Sequence, residues 1–235
     1  MQGWRKRMED AHISDIGIGP NNLTHLFGVF DGHGGKEVSL YVKKYFTQEF
    51  LNSKSFKSGN LKNSLIETFL KIDEVIQEPN GKAELKRYAK QSKEEDEIRN
   101  QKDKNKQMDM FKQLFDQKNQ EDCDVAMMTG CTANVCAIDQ GAKKLYFANS
   151  GDSRAVLCKN GVAYPMSVDH KPELDGEKTR IYKADGWVSE GRVKGGFFFN
   201  YFILYFKILI RISQKILLLY SFYLCILCYN LFNFL

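Results

Sequence analysis

A chain of 235 residues, 43% hydrophobic and 27% charged, has the length for one domain with a sizeable core, or for a domain with a tail. Its formal charge of +5 is uneven: Lys207, Arg211 and Lys215 lie in a C-terminal stretch without acids, leaving 31 basic against 29 acidic residues elsewhere, a balance that speaks against a nucleic-acid partner. Six cysteines without a framework spacing, and no signal peptide before them, indicate a reduced, cytoplasmic body rather than a disulfide-built secreted scaffold.

The chain opens on Met1-Gln2-Gly3-Trp4-Arg5-Lys6-Arg7-Met8-Glu9-Asp10, where Arg5 precedes a Glu-Asp pair by four residues. A cation suited to phosphate and two ligands suited to a hard metal thus share one short segment. Residues 12–16 and 25–30 read as strands around a turn rich in Gly, Pro and Asn, which predicts a hairpin. His12 and His25 read as ordinary strand or loop histidines. The second strand runs into Val29-Phe30-Asp31-Gly32-His33-Gly34-Gly35, so Asp31 arrives at an exposed sheet end with a candidate proton donor, His33, beside it. An ordinary Asp-Gly turn is the competing reading of these residues alone.

Apolar residues at three- and four-residue steps predict amphipathic helices over 36–51 and 60–77. Glu78-Pro79-Asn80-Gly81 breaks the pattern, and 82–122 is dense in charges of both signs, which predicts a solvated insertion, helical in its first half. Strand character returns at 133–138, 144–149 and 155–158, separated by tight turns, as expected for antiparallel sheets.

Four motifs in this order, Arg-x-x-x-Glu-Asp, Asp-Gly-His-Gly-Gly, Gly130-Cys131-Thr132-Ala133 and Gly151-Asp152-Ser153-Arg154, resemble those of the metal-dependent (PPM, type 2C) protein serine/threonine phosphatases. The resemblance covers roughly residues 1 to 196, and within it 166–172 look like the family's next loop, 173–184 like its helix and 186–193 like the one strand that follows. It implies an α+β fold of two stacked antiparallel β-sheets flanked by helices, a four-layer sandwich, here incomplete and followed by an apolar tail. It also implies hydrolysis of phosphoserine and phosphothreonine proteins by a water that two Mg2+ or Mn2+ ions activate, in a monomer. On the matching positions, Asp31 would bridge the ions, the Gly32 carbonyl would bind one, and Glu9 and Asp10 would bind or orient metal waters. Asp152 would serve a third, weaker metal site, Arg5 would hold the phosphate, and His33 would be the general acid. Thr132 and Arg154 would support the site by hydrogen bonding.

Two departures accompany the resemblance. Family members usually carry a further strand before the first motif, so the chain is expected to start late. Two downstream aspartates that complete the family's metal cage have no match; Asp185-Gly186 falls too early in the order, so a weak or absent dimetal centre and little or no activity are expected. From Phe197 onward, 28 of 39 residues are Phe, Ile, Leu or Tyr, and residues 216–235 carry no charge. Twenty helical residues span roughly 30 Å, enough for a membrane. Two readings of 197–235 stay open: a membrane anchor over 216–235, making the protein a noncatalytic membrane-anchored binding protein, or translated noncoding sequence.

Overall fold

Strand pairing in the computed structural model, which describes residues 2–5, 7–102, 124–194 and 209–214, starts from the predicted hairpin. Strands β1 (Ala11–Ile18) and β2 (Thr24–Phe30) run antiparallel with Ala11 opposite Phe30 and Ile13 opposite Gly28. Period-two alternation sends Ala11, Ile13, Leu26 and Phe30 to one buried face. His25 is structural: its Nδ1 accepts the Gly17 N–H at 3.0 Å across the hairpin.

Strands β5 (Ala133–Asp139) and β6 (Lys144–Ser150) extend the same sheet, once β3 (Gly32–His33) and β4 (Gly130–Cys131) have paired as a short ladder beside it. The spatial order is β1-β2-β5-β6, and the direction alternates at every step. Residues before β1, after β2, before β5 and after β6 therefore meet at one end of the sheet. All four motifs lie at that end.

Helices α1 (Glu37–Asn52), α2 (Lys54–Lys57) and α3 (Leu61–Gln77) follow the glycine-rich turn, close to the predicted bounds. Asn60 starts α3 by accepting the Asn63 N–H at 3.1 Å. α1 packs over β1 and β2, and α3 over β5 and β6. Between them the Phe46 ring meets Phe69 edge-on at 5.5 Å and Phe30 at 5.7 Å. On the opposite face Cys136, Leu145 and Phe147 alternate with the helix-facing Val135, Ala137 and Ala148, and are buried by Ala155 and Met166. Those two residues flank a second antiparallel layer, the hairpin of β7 (Val156–Lys159) and β8 (Val162–Pro165).

The stretch expected to be a solvated insertion begins as part of the body. Pro79 opens α4 (Pro79–Lys102), where a missing N–H is harmless in a first turn. Leu85 in its second turn is fully buried in the main core. Replacing Leu85 by Ala is expected to cost roughly 2–5 kcal/mol by loss of contact and creation of a cavity. Urea unfolding measures this, and a cost near zero would mean that α4 does not pack. Residues 103–122 of the expected insertion lie outside the described residues, and the next described element is α5 (Val125–Met128).

The segment read as one strand over 186–193 is instead a hairpin after α6 (Asp175–Lys183): β9 (Trp187–Ser189) pairs with β10 (Arg192–Lys194). Glu190 and Gly191 turn it with φ of 53° and 69°, a left-handed pair that the glycine accommodates without strain. Asp185, at φ 58°, ends α6 through its N–H to the Tyr182 carbonyl, a turn role. Within the apolar tail, Leu209–Gln214 forms β11 and pairs antiparallel with β6, completing the order β1-β2-β5-β6-β11. The strand was not foreseen, because Ile210-Arg211-Ile212-Ser213 alternates over only four residues inside a long apolar stretch, and a run of that kind reads equally as helix.

Candidate active site

Register brings the first two motifs together. With Ala11 opposite Phe30, the preceding Asp10 and the following Asp31 leave the sheet side by side. Burial is the main cause that pushes the Asp31 carboxyl up to about 6; the charge and hydrogen bonding of Asp10 add to it, Asp152 contributes further, and the Arg5 guanidinium pulls the other way. Asp31, Asp10, Asp152 and Arg5 therefore share one electrostatic environment. Burial also lowers the His33 pKa, against the opposing charges of Glu9 and Asp152. The Gly32 N–H donates to the Glu9 carbonyl at 3.2 Å, which ties the Glu-Asp segment to the glycine turn. Arg5 itself is exposed, as a side chain that reaches for a ligand would be.

Thr132 and Arg154 hold the loops in place. Thr132 donates its backbone N–H to the Asp31 carbonyl at 2.8 Å, and its hydroxyl lies 3.3 Å from the Asp31 N–H and 2.7 Å from the Ser153 hydroxyl. Arg154 forks onto Asp169 at 2.7 and 2.8 Å, and this pairing holds the Asp169 carboxyl below the usual carboxylate range. The loop that carries Asp152 is tied down twice more. His170 Nδ1 accepts the Gly151 N–H at 3.3 Å, while the His170 backbone N–H donates to the Gly151 carbonyl at 3.0 Å.

Sequence reasoning missed the two residues beneath this loop. Asn134 and Asn149 are almost wholly buried, and the Asn134 amide donates to Asn149 at 2.8 Å and to the Ser153 carbonyl at 3.0 Å. Asn149 donates in turn to the carbonyls of Gly151 at 3.0 Å and Val168 at 2.9 Å. The available signal was an amide placed inside each of two apolar strands, since a buried polar group requires partners. Asp169 and His170 gave no such signal in a polar loop.

Neighbouring carboxyls that resist joint ionisation, fixed on a sheet end and rich in oxygen, fit a hard divalent cation, whose charge would relieve the repulsion. Among the described residues no three His, Cys, Asp or Glu side chains converge closely enough to hold an ion.

His33 also walls a half-open cavity of about 380 Å³ between α1, α3 and α5, into which α3 presents Asp73. Burial pushes the Asp73 carboxyl up to about 7. The folded protein holds that proton more tightly than the unfolded chain, so the associated stability is full below about pH 4 and is lost as pH rises through about 7. Replacing Asp73 by Asn is expected to flatten this slope and to make the variant more stable than the wild type at pH 8 by roughly 2–4 kcal/mol. Urea unfolding at pH 5 and pH 8 checks the sign; identical slopes for the two proteins would contradict it.

Fold and site together define a class: an α+β protein with antiparallel sheets flanked by helices, in which acids, a histidine and an arginine gather at one sheet end. The family model for protein phosphatase 2C matches residues 1–86 and 77–198. The chain is 43% identical over 195 residues to probable protein phosphatase 2C 6 of Paramecium tetraurelia, covering 83% of this chain and 54% of that one. It is 38% identical over 210 residues to probable protein phosphatase 2C 58 of Oryza sativa subsp. japonica, covering 83% and 53%. A solved structure described as a C. elegans sex determining protein matches with a TM-score of 0.59 at 21% identity, over 90% of this chain and 46% of that one. The chain belongs to the protein phosphatase 2C family. It spans about half the length of the relatives it matches.

These findings give no support to the alternative of a noncatalytic membrane-anchored binding protein. Among the described residues no helix is long and apolar enough to cross a membrane. Residues 216–235, read as one candidate span, lie outside them.

Proposed function

We propose that the protein is a metal-dependent serine/threonine phosphatase whose site is the sheet end carrying Arg5, Glu9, Asp10, Asp31, Gly32, His33 and Asp152. The observation that carries this reading is the shared electrostatic environment of Asp10, Asp31, Asp152 and Arg5, reached from distant parts of the chain. Asp31, Asp10, Glu9, Asp152 and the Gly32 carbonyl would hold Mg2+ or Mn2+. When bound, such ions supply Lewis acidity to a water and to the phosphate oxygens.

The chain's own residues do the rest. Arg5 binds the phosphate of a phosphoserine or phosphothreonine side chain through its planar fork, which lysine cannot copy. His33 holds the proton that a departing serine or threonine oxygen requires. Its lowered pKa makes it a readier donor once protonated. Thr132 and Ser153 keep Asp31 and the Asp152 loop in register.

The test is phosphate release from a phosphoserine peptide by the 235-residue protein, titrated with Mn2+. Release that rises with Mn2+ and falls several-fold in the Arg5→Lys variant, mainly through KM, supports the reading. Release independent of metal, or none at saturating Mn2+ from a folded protein, would overturn it.

A further inference from the structure

Apart from His33, which walls it on one side, the cavity supplies no group to the reaction proposed above, and its chemistry specifies a different ligand. At about 380 Å³ it is more than ten times the volume that a water occupies and falls within the range of small-molecule sites. Its wall is mainly hydrocarbon, including Val42, Phe46, Phe69 and Ile72. Asp73 stands in that wall, and among the described residues neither a hydrogen-bond donor nor a cation reaches its carboxyl. Lys82, which also lines the cavity, is paired with Asp124 at 2.6 Å. Cys131, whose thiol feels the charge of Asp73, is kept neutral chiefly by burial. A helix needs no acid at this position, and an acid without a partner in an apolar wall lowers stability. One cation with an apolar body would satisfy both the carboxyl and the wall.

We infer that this cavity is a binding site for a small apolar monoamine, its ammonium on Asp73 and its body between the aromatic and aliphatic side chains of α1 and α3. Once Asp73 is ionised it excludes anions of the same shape, and neutral isosteres lack the charge-assisted hydrogen bond. The site communicates with the sheet end through His33. A Cβ on Gly130 would lie 2.6 Å from His33 Nε2, so the ring rests on bare backbone and an occupant that displaces Gly130 displaces the ring.

The probe is 1-naphthylmethylamine, compared with 1-naphthalenemethanol and 1-naphthoate, titrated at pH 8, where Asp73 is ionised, by ligand-observed NMR against the whole chain without metal. The amine is expected to bind about tenfold more tightly than the alcohol, with the carboxylate weakest. Asp73→Asn should remove the preference for the amine while the alcohol still binds. Ala126→Leu, which fills the cavity from α5, should weaken both amine and alcohol, with circular dichroism reporting that each variant is folded. Equal binding of amine and alcohol by the wild type, an unchanged preference in Asp73→Asn, unchanged binding in Ala126→Leu, or no binding at all would each overturn the assignment. Since no phosphate release is measured, failure here leaves the phosphatase reading untouched.

Discussion

Replacing Asp31 by Asn is expected to lower metal-dependent phosphate release by about a hundredfold or more. The same change should make the metal-free protein more stable at pH 7. Asp31 is partly buried next to Asp10 and Asp152, and its raised pKa means that its charge is disfavoured in the folded state. For a carboxyl raised from 3.8 to about 6, stability is full below about pH 4 and falls as pH rises through about 6. An asparagine keeps the shape and removes the charge, so that loss disappears. Adding Mn2+ should raise the wild-type Tm at pH 7 and leave the Asn variant almost unmoved. Thermal melts with and without Mn2+ at pH 5 and pH 7 measure all three effects. A variant that responds to Mn2+ as the wild type does would remove Asp31 from the metal site.

The second large effect concerns a residue that touches no substrate. Asn149→Ala is expected to destabilise the fold by roughly 3–5 kcal/mol, because it strands the Asn134 amide and leaves the carbonyls of Gly151 and Val168 without their donor in a dry interior. Urea unfolding gives the figure, and a loss below about 1 kcal/mol would mean that water or local movement satisfies the stranded groups. The variant that retains its fold should also lose the register of the Asp152 loop. Its Mn2+ requirement should therefore rise, while Leu85→Ala, which lies away from the loop, should cost stability without that change.

Local physics made much of this protein legible. The hairpin over 11–30 was visible in its alternating residues and Gly-Pro-Asn turn, and α1 and α3 in their three- and four-residue apolar steps. The hairpin at 187–194 was not, because Glu190-Gly191 sits in a short stretch where a continuous strand and a tight turn have the same composition. α4 carries so many charges that its single deeply buried leucine left no periodic trace. Its place in the body depends on the neighbours that Leu85 meets.

The candidate site divides in the same way. Residue type and spacing determined which side chains are suited to phosphate and to hard cations: Arg5, Glu9, Asp10, Asp31, His33 and Asp152. That suitability is a property of each group and its immediate neighbours in the chain, so sequence alone carries it. Tertiary structure decided that Asp10 stands beside Asp31, that Asn134 and Asn149 hold the loop bearing Asp152, and that Asp73 faces a cavity. These facts arise from antiparallel register and from packing between residues far apart in the chain, and burial converts the resulting proximity into shifted protonation and into demands for partners.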